Sequence, residues 1–139
     1  MLKKIKINNN KIFQKKIKEI INLEKRKLYE LNYIFCNNKY IFYINKKFFK
    51  KKYYTDTISF NYYKKNKKII YGDIFISVEQ VKYNSKIWKQ LFSIEIKRVI
   101  IHSLLHLIGY NDNNLFYKKK MIKKENFYLK KFKNIKIEI

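Results

Sequence analysis

His102 and His106 are the only two histidines of the chain, and they lie four residues apart in an apolar run. On a helix that spacing puts both side chains on one face. Two imidazoles so placed can each bind one metal ion through a ring nitrogen at ~2.0–2.1 Å. Gly109 ends the run and Asp112 follows it, so a turn there would bring a carboxylate back toward the second imidazole. Two His and one carboxylate leave a coordination position open for water, the pattern of a catalytic rather than a structural zinc site. The alternative is a pair of core histidines bonded to backbone. Ser103 stands where a metalloprotease of the His-Glu-x-x-His kind carries its general-base glutamate, which disfavours peptide hydrolysis. The metal would then acidify its water largely unaided, or with a carboxylate from elsewhere in the fold.

Other chemistry-bearing residues have weaker spacing signals. Asp73 and Glu79 flank the best strand pattern. Either suits an acid that orients water or supports a histidine; the favoured alternative is a turn residue and a helix N-terminal acid. Cys36 ends an apolar run, so it reads as buried filler, and a single cysteine cannot form an internal disulfide.

The elements that must position the histidines follow from periodicity. Ile12, Phe13, Ile17, Ile20, Ile21, Leu23 and Leu28 share a face at helical spacing, which predicts a helix over 11–28. Leu31–Cys36 predicts a strand, Asn37 and Asn38 a turn and N-cap, and Tyr40, Ile41, Ile44, Phe48 and Phe49 a second helix. Lys50–Lys52 reads as a loop, Thr55–Phe60 as a strand and Lys64–Lys68 as a basic turn. Ile69–Val78 is the clearest strand, with Ile74 and Ile76 on one face and Phe75 on the other; a short helix over Glu79–Ser85 follows. Ser93 suits an N-cap, with Glu95 in the first turn of a helix over Ile94–Ile108 that Gly109 closes. A last helix over 115–133 turns Leu115, Met121, Ile122, Phe127 and Leu129 inward, and Asn134–Ile139 is a frayed tail or a short extra strand. This order argues for an α+β fold: a small mixed sheet covered by helices.

Composition bounds the rest. A chain of 139 residues without a Pro/Gly/Ser linker or repeat suits one domain over 1–139. Hydrophobic residues make up 47%, enough to build a core from Ile, Phe and Tyr. The net charge of +24 points to a polyanion and excludes an acidic-patch protein. Yet Lys, Ile, Asn, Tyr and Phe together fill 96 of the 139 positions, and all five use A/T-rich codons. Part of the lysine excess therefore fits codon drift on solvated faces. Tyr53, Tyr54, Tyr62 and Tyr63 flank lysine runs and suit either base stacking on single-stranded RNA or the edge of the core. With neither a signal peptide nor a span of ~20 apolar residues in view, the expected location is cytoplasmic, with no membrane partner.

The segment His102-Ser-Leu-Leu-His106-Leu-Ile-Gly109-Tyr110-Asn-Asp112 resembles the signature of the YbeY family of bacterial rRNA maturation endoribonucleases, His-Gly-x-Leu-His-Leu-x-Gly-Tyr-Asp-His. Thr55-Asp56-Thr-Ile-Ser-Phe60 is similar to the family's Thr-Asp-Val-Leu-Ser-Phe, and Gly72-Asp73-Ile-Phe-Ile-Ser77 to its Gly-Asp-Ile-x-Ile-Ser. Leu31-Asn-Tyr-Ile-Phe-Cys36 and Glu125-Asn-Phe-Tyr-Leu129 have counterparts in one branch. The resemblance implies a mixed four-stranded sheet packed with helices and a zincin-like metal-site helix. It also implies one Zn2+ per chain, held by His102, His106 and Asp112, and a metal-bound water that attacks the phosphodiester.

The implied activity is single-strand-specific cleavage in 16S rRNA 3′-end maturation and ribosome quality control, with rRNA and the ribosome as partners and a monomeric state. The alternative is a non-catalytic, ribosome-associated RNA-binding factor with a structural metal. Three positions differ from the usual family pattern. Asp112 stands where a third histidine is common, and its charge should leave the bound water less acidic. Ser103 replaces a glycine. Phe49 stands at the register of an arginine thought to hold RNA, so Lys50, Lys51 and Lys52 are the candidates to supply that charge, as point charges rather than a fork.

Overall fold

The computed structural model describes residues 10–50 and 55–137. Helices and strands come in the order α1 (Asn10–Leu23), β1 (Lys27–Cys36), α2 (Asn38–Phe49), β2 (Thr57–Asn61), β3 (Ile69–Ser77), α3 (Val78–Ile87), α4 (Phe92–Ile108) and α5 (Leu115–Leu129), with a final 3-10 turn at Lys130–Phe132. The strands form a mixed sheet in the order β1-β3-β2, with β1 parallel and β2 antiparallel to β3. The central strand is the one whose alternation is cleanest. Ile70, Gly72, Ile74 and Ile76 of β3 face the main core, where α1 and α4 contribute Ile17, Ile20, Ile21, Ile96, Ile100, Leu104 and Leu105. Each fully buried aliphatic side chain contributes about 1.5–3 kcal/mol relative to exposure. On the opposite face Phe75 joins a smaller cluster of Cys36, Ile41, Ile44 and Ile58 beneath α2. Burial, then the nearby charge of Glu79, pushes the Cys36 thiol up to about 12, so it is inert filler, as expected.

Gly72 is required by close approach. A Cβ there would overlap the Phe60 carbonyl oxygen of β2. Without it β2 could not lie against β3 at the register that faces Ser59 toward α4, where its Oγ lies 3.5 Å from the Ser103 carbonyl.

Several expectations are corrected. The sheet has three strands among the described residues, not four. The candidate for another strand, the tail, buries Ile135 in the core and does not pair over residues 135–137. The first helix stops at Leu23 rather than Leu28, and residues 27–36 form one long strand. The stop was hidden because a lysine makes it: Lys25 takes φ 56, and the Arg26 N–H bonds the Ile21 carbonyl. Lys50 and Lys89 close α2 and α3 in the same left-handed conformation, at φ 53 and 52. Glycine usually fills such sites, because a Cβ there costs about 1–2 kcal/mol.

Ser93 is not the N-cap of α4; Leu91 is, with no side-chain bond, and Ser93 sits inside the first turn. Ser77 instead caps α3, accepting from the Gln80 N–H, and that helix runs to Ile87. The last helix is rotated from the expected stripe. Met121, Glu125 and Tyr128 face inward, whereas Leu115, Ile122 and Phe127 are exposed and Leu129 is half-buried. Counting apolar residues missed this face because one of its members is a glutamate.

Candidate metal centre and active site

The geometry begins with α4, the most apolar helix, buried along most of its length. Its periodicity leaves one polar strip, and His102 and His106 occupy it. Their Nε2 atoms point at each other 3.0 Å apart. Gly109 ends the helix at φ 122, and the N–H groups of Gly109 and Tyr110 both bond the Leu105 carbonyl. This reversal swings the chain back, and Asp112 Oδ2 comes to 3.9 Å from each Nε2. The three donors lie within 4.8 Å of one another. Ligand atoms ~2.0–2.1 Å from one tetrahedral ion are roughly 3.3 Å apart. The observed separations bracket that figure, so this donor set fits a divalent ion that accepts nitrogen and oxygen.

Glu125 supplies support from α5. Its carboxylate accepts from His102 Nδ1 at 3.0 Å, which fixes the tautomer so that Nε2 carries the lone pair. Ser103 turns its hydroxyl back onto the Val99 and Ile100 carbonyls and buries it without disturbing the helix.

The donors open into a cleft of about 580 Å³ lined by Thr55, Asp56, Thr57, Ser59, Asn61, His102, His106, Leu107 and Asp112. The alternation of β2 accounts for a third of that wall. Thr57, Ser59 and Asn61 point into the cleft, while Ile58 and Phe60 point to the other face. The Thr57 hydroxyl is buried and has no hydrogen-bond partner among the described residues. A buried hydroxyl of that kind is costly unless something polar meets it.

Electrostatics divides the two imidazoles. Burial disfavours charge on His102, but the hydrogen bond and charge of Glu125, with Asp56 and Asp112 behind it, outweigh burial and raise its pKa. His106 lacks a buried acid of its own: burial and then the positive charge on His102 lower its pKa. Asp56 is raised by burial, against the pull of His102 and its own backbone hydrogen bonds.

The structure thus brings together His102, His106 and Asp112 as the spacing predicts, and adds Glu125 and Asp56, which spacing alone did not select. Glu125 had one legible signal: it is the sole acid in a helix with five lysines. The other two acids considered do not reach the cleft. Asp73 bonds Asn32 and Tyr62 on the far face, and Glu79 accepts from the Asn38 N–H. Lys50 caps α2 and does not line the cleft. Lys51, Lys52, Tyr53 and Tyr54 lie outside the described residues.

Fold and site together define an α+β protein with a helix-borne, two-histidine and carboxylate donor set at the floor of a polar cleft, an arrangement suited to metal-assisted hydrolysis. Known proteins narrow that class. A family model described as Endoribonuclease YbeY matches residues 2–133. An Endoribonuclease YbeY of Karelsulcia muelleri is 46% identical over 126 residues, 91% of this chain and 88% of that one. The Endoribonuclease YbeY of Amoebophilus asiaticus is 38% identical over 124 residues, 89% and 84% of the two chains. The solution structure of TM1509 from Thermotoga maritima superposes with a TM-score of 0.64 at 25% identity, covering 91% of this chain and 85% of that one. The chain belongs to the YbeY endoribonuclease family, whose members are hydrolases acting on RNA.

Proposed function

We propose that the protein is a zinc-dependent endoribonuclease that cuts single-stranded RNA, working as a monomer on ribosomal particles in the cytoplasm. Its substrate is the 3′ end of the 16S rRNA precursor, and the same activity serves ribosome quality control. The observation that carries this reading is the convergence of His102, His106 and Asp112 within 4.8 Å in a cleft that can admit a strand. Family membership supports the RNA-cleaving part.

His102, His106 and Asp112 are the residues that would hold the ion. When bound, zinc supplies Lewis-acid stabilisation of phosphate charge and lowers the pKa of water toward ~7. Glu125 keeps His102 in the donor tautomer. Asp56 is the one other carboxylate in the cleft wall among the described residues. Its position suits hydrogen bonding to a water or a ribose hydroxyl beside the scissile phosphate. Thr57, Ser59 and Asn61 present hydroxyl and amide groups along β2 that can align the RNA backbone, and the lysines of the chain, Lys50, Lys51 and Lys52 among them, concentrate the polyanion. No helix among the described residues is long and apolar enough to cross a membrane.

Metal analysis of purified protein by mass spectrometry should find close to one zinc per chain. Cleavage of a single-stranded RNA should stop on chelation and return with zinc, and 16S precursor in immature particles should be trimmed. Full cleavage in chelator, or RNA binding with no cleavage under any metal, would overturn the reading.

A further inference from the structure

The face of the sheet opposite the cleft carries an unbroken line of aromatic rings. Tyr29 of β1 meets Tyr71 of β3 at a centroid distance of 5.0 Å, and Tyr71 meets Tyr62 at 5.4 Å. Tyr62 lies parallel to Phe60 at 6.4 Å, with 10° between the planes. Phe60 then contacts Phe48 and Phe49 at the end of α2, at 5.5 and 5.6 Å. Tyr29, Tyr62, Phe48 and Phe49 are 73%, 52%, 58% and 42% exposed. Tyr62 is held in place by its hydroxyl, which donates to Asp73, itself held by Asn32. Six connected rings on a protein surface form a patch that calls for an occupant.

Charge selects the occupant. At one end of the line, Lys47 Nζ sits 5.5 Å over the Phe48 ring and Lys50 follows Phe49. At the other end stand Lys27 and the exposed lysines 64, 65, 67 and 68 of the β2–β3 turn. A second copy of a chain with net charge +24 would be repelled from such a rim. A polyanion with flat apolar faces would be held at both levels. Duplex RNA hides its base faces, whereas a single strand offers them.

We infer that the Tyr29–Tyr71–Tyr62–Phe60–Phe48/Phe49 line is a base-stacking platform for the single-stranded RNA that flanks the scissile bond. This rests on the RNA-cleaving reading of the cleft. The path between the two is short. Among the described residues β2 is an edge strand; its Thr57, Ser59 and Asn61 line the cleft, and its Phe60, with Tyr62 just after it, lies on the platform. A strand leaving the cleft need only cross that edge.

The test is fluorescence anisotropy with a labelled single-stranded RNA of about 12 nucleotides, on protein carrying His106→Ala so that nothing is cut. Adding Tyr29→Ala and Phe48→Ala, both at exposed rings, should weaken binding roughly tenfold for each ring. Tyr29→Trp and Phe48→Trp should restore it. The salt dependence should keep its slope, which Lys64→Gln with Lys65→Gln should instead reduce. Binding of duplex RNA should not change with either ring. Unchanged affinity in the alanine variants, an equal loss for duplex RNA, or an altered sedimentation coefficient of the protein alone with RNA affinity intact would overturn the platform, the last by marking the rings as a protein interface. In the cleavage-competent background, a short RNA filling only the cleft should be cut by the Tyr29→Ala/Phe48→Ala protein at the unaltered rate. Absence of cleavage by the unaltered protein would count against the enzyme reading and not against the platform.

Discussion

Glu24 and Glu125 are buried to the same degree, each with 7% of its side chain exposed, but they keep opposite company. Glu24 follows α1 and is saturated. It accepts from the Tyr110 hydroxyl and from Lys124 Nζ at 3.1 Å. Burial raises its pKa, yet hydrogen bonds from Tyr110, Lys124 and Tyr128 and the charge of Lys124 bring it below the usual value. It ties the end of α1 to the turn after α4 and to α5. Glu125, the residue after Lys124, faces a single imidazole, with Asp56 and Asp112 acting on that same imidazole. A buried acid with its charge neutralised locally is a structural tie. One left facing an imidazole passes its field to whatever that imidazole holds.

The comparison can be broken or sharpened in order of expected effect. His106→Ala removes a donor outright and should abolish RNA cleavage, with metal affinity in chelator competition falling at least a hundredfold; retained affinity would remove the centre from consideration. Glu125→Gln keeps a hydrogen-bond acceptor for His102 Nδ1 but removes the charge. Metal affinity should fall about 10–100-fold, while the urea midpoint barely moves. Glu24→Gln should do the reverse. It loses about 2 kcal/mol of stability in urea, since hydrogen bonds to a charged group are worth about 1.5–3 kcal/mol, and leaves metal affinity within a few-fold. If Glu24→Gln weakened metal binding more than stability, the distinction between the two glutamates would fail.

The smallest effect concerns pH. The folded pKa of Glu24 lies below its ordinary 4.5. Its contribution is therefore full above pH 4.5 and is lost as pH falls through the lower folded value. The unaltered protein should lose stability to acid more steeply below pH 4.5 than Glu24→Gln does, measured by urea unfolding at a series of pH values.

What was legible in the sequence follows the range of the interactions. The His102/His106 pair is a local fact, because helical periodicity alone places i and i+4 together. Gly109 and Asp112 extend that reach by one turn, and the structure closes them as the spacing implies. The alternation of β3 likewise announced which residues face which core. Helix ends were harder to read. Lys25, Lys50 and Lys89 take left-handed positions that a glycine would advertise, so periodicity alone extends α1 past its true end. The inward face of α5 was misplaced because Glu125 is buried by a partner on another helix, 23 residues away.

By itself the sequence determined the donor types, their order and the α+β succession of elements, since these depend on side-chain chemistry and on periods of two and 3.6 residues. Tertiary structure decided that Glu125 would meet His102, that Asp56 would share the cleft, and that six aromatics from β1, α2, β2, the turn after β2 and β3 would join in one line. Those contacts join residues far apart in the chain, and local periodicity holds no information about which buried faces will pack together.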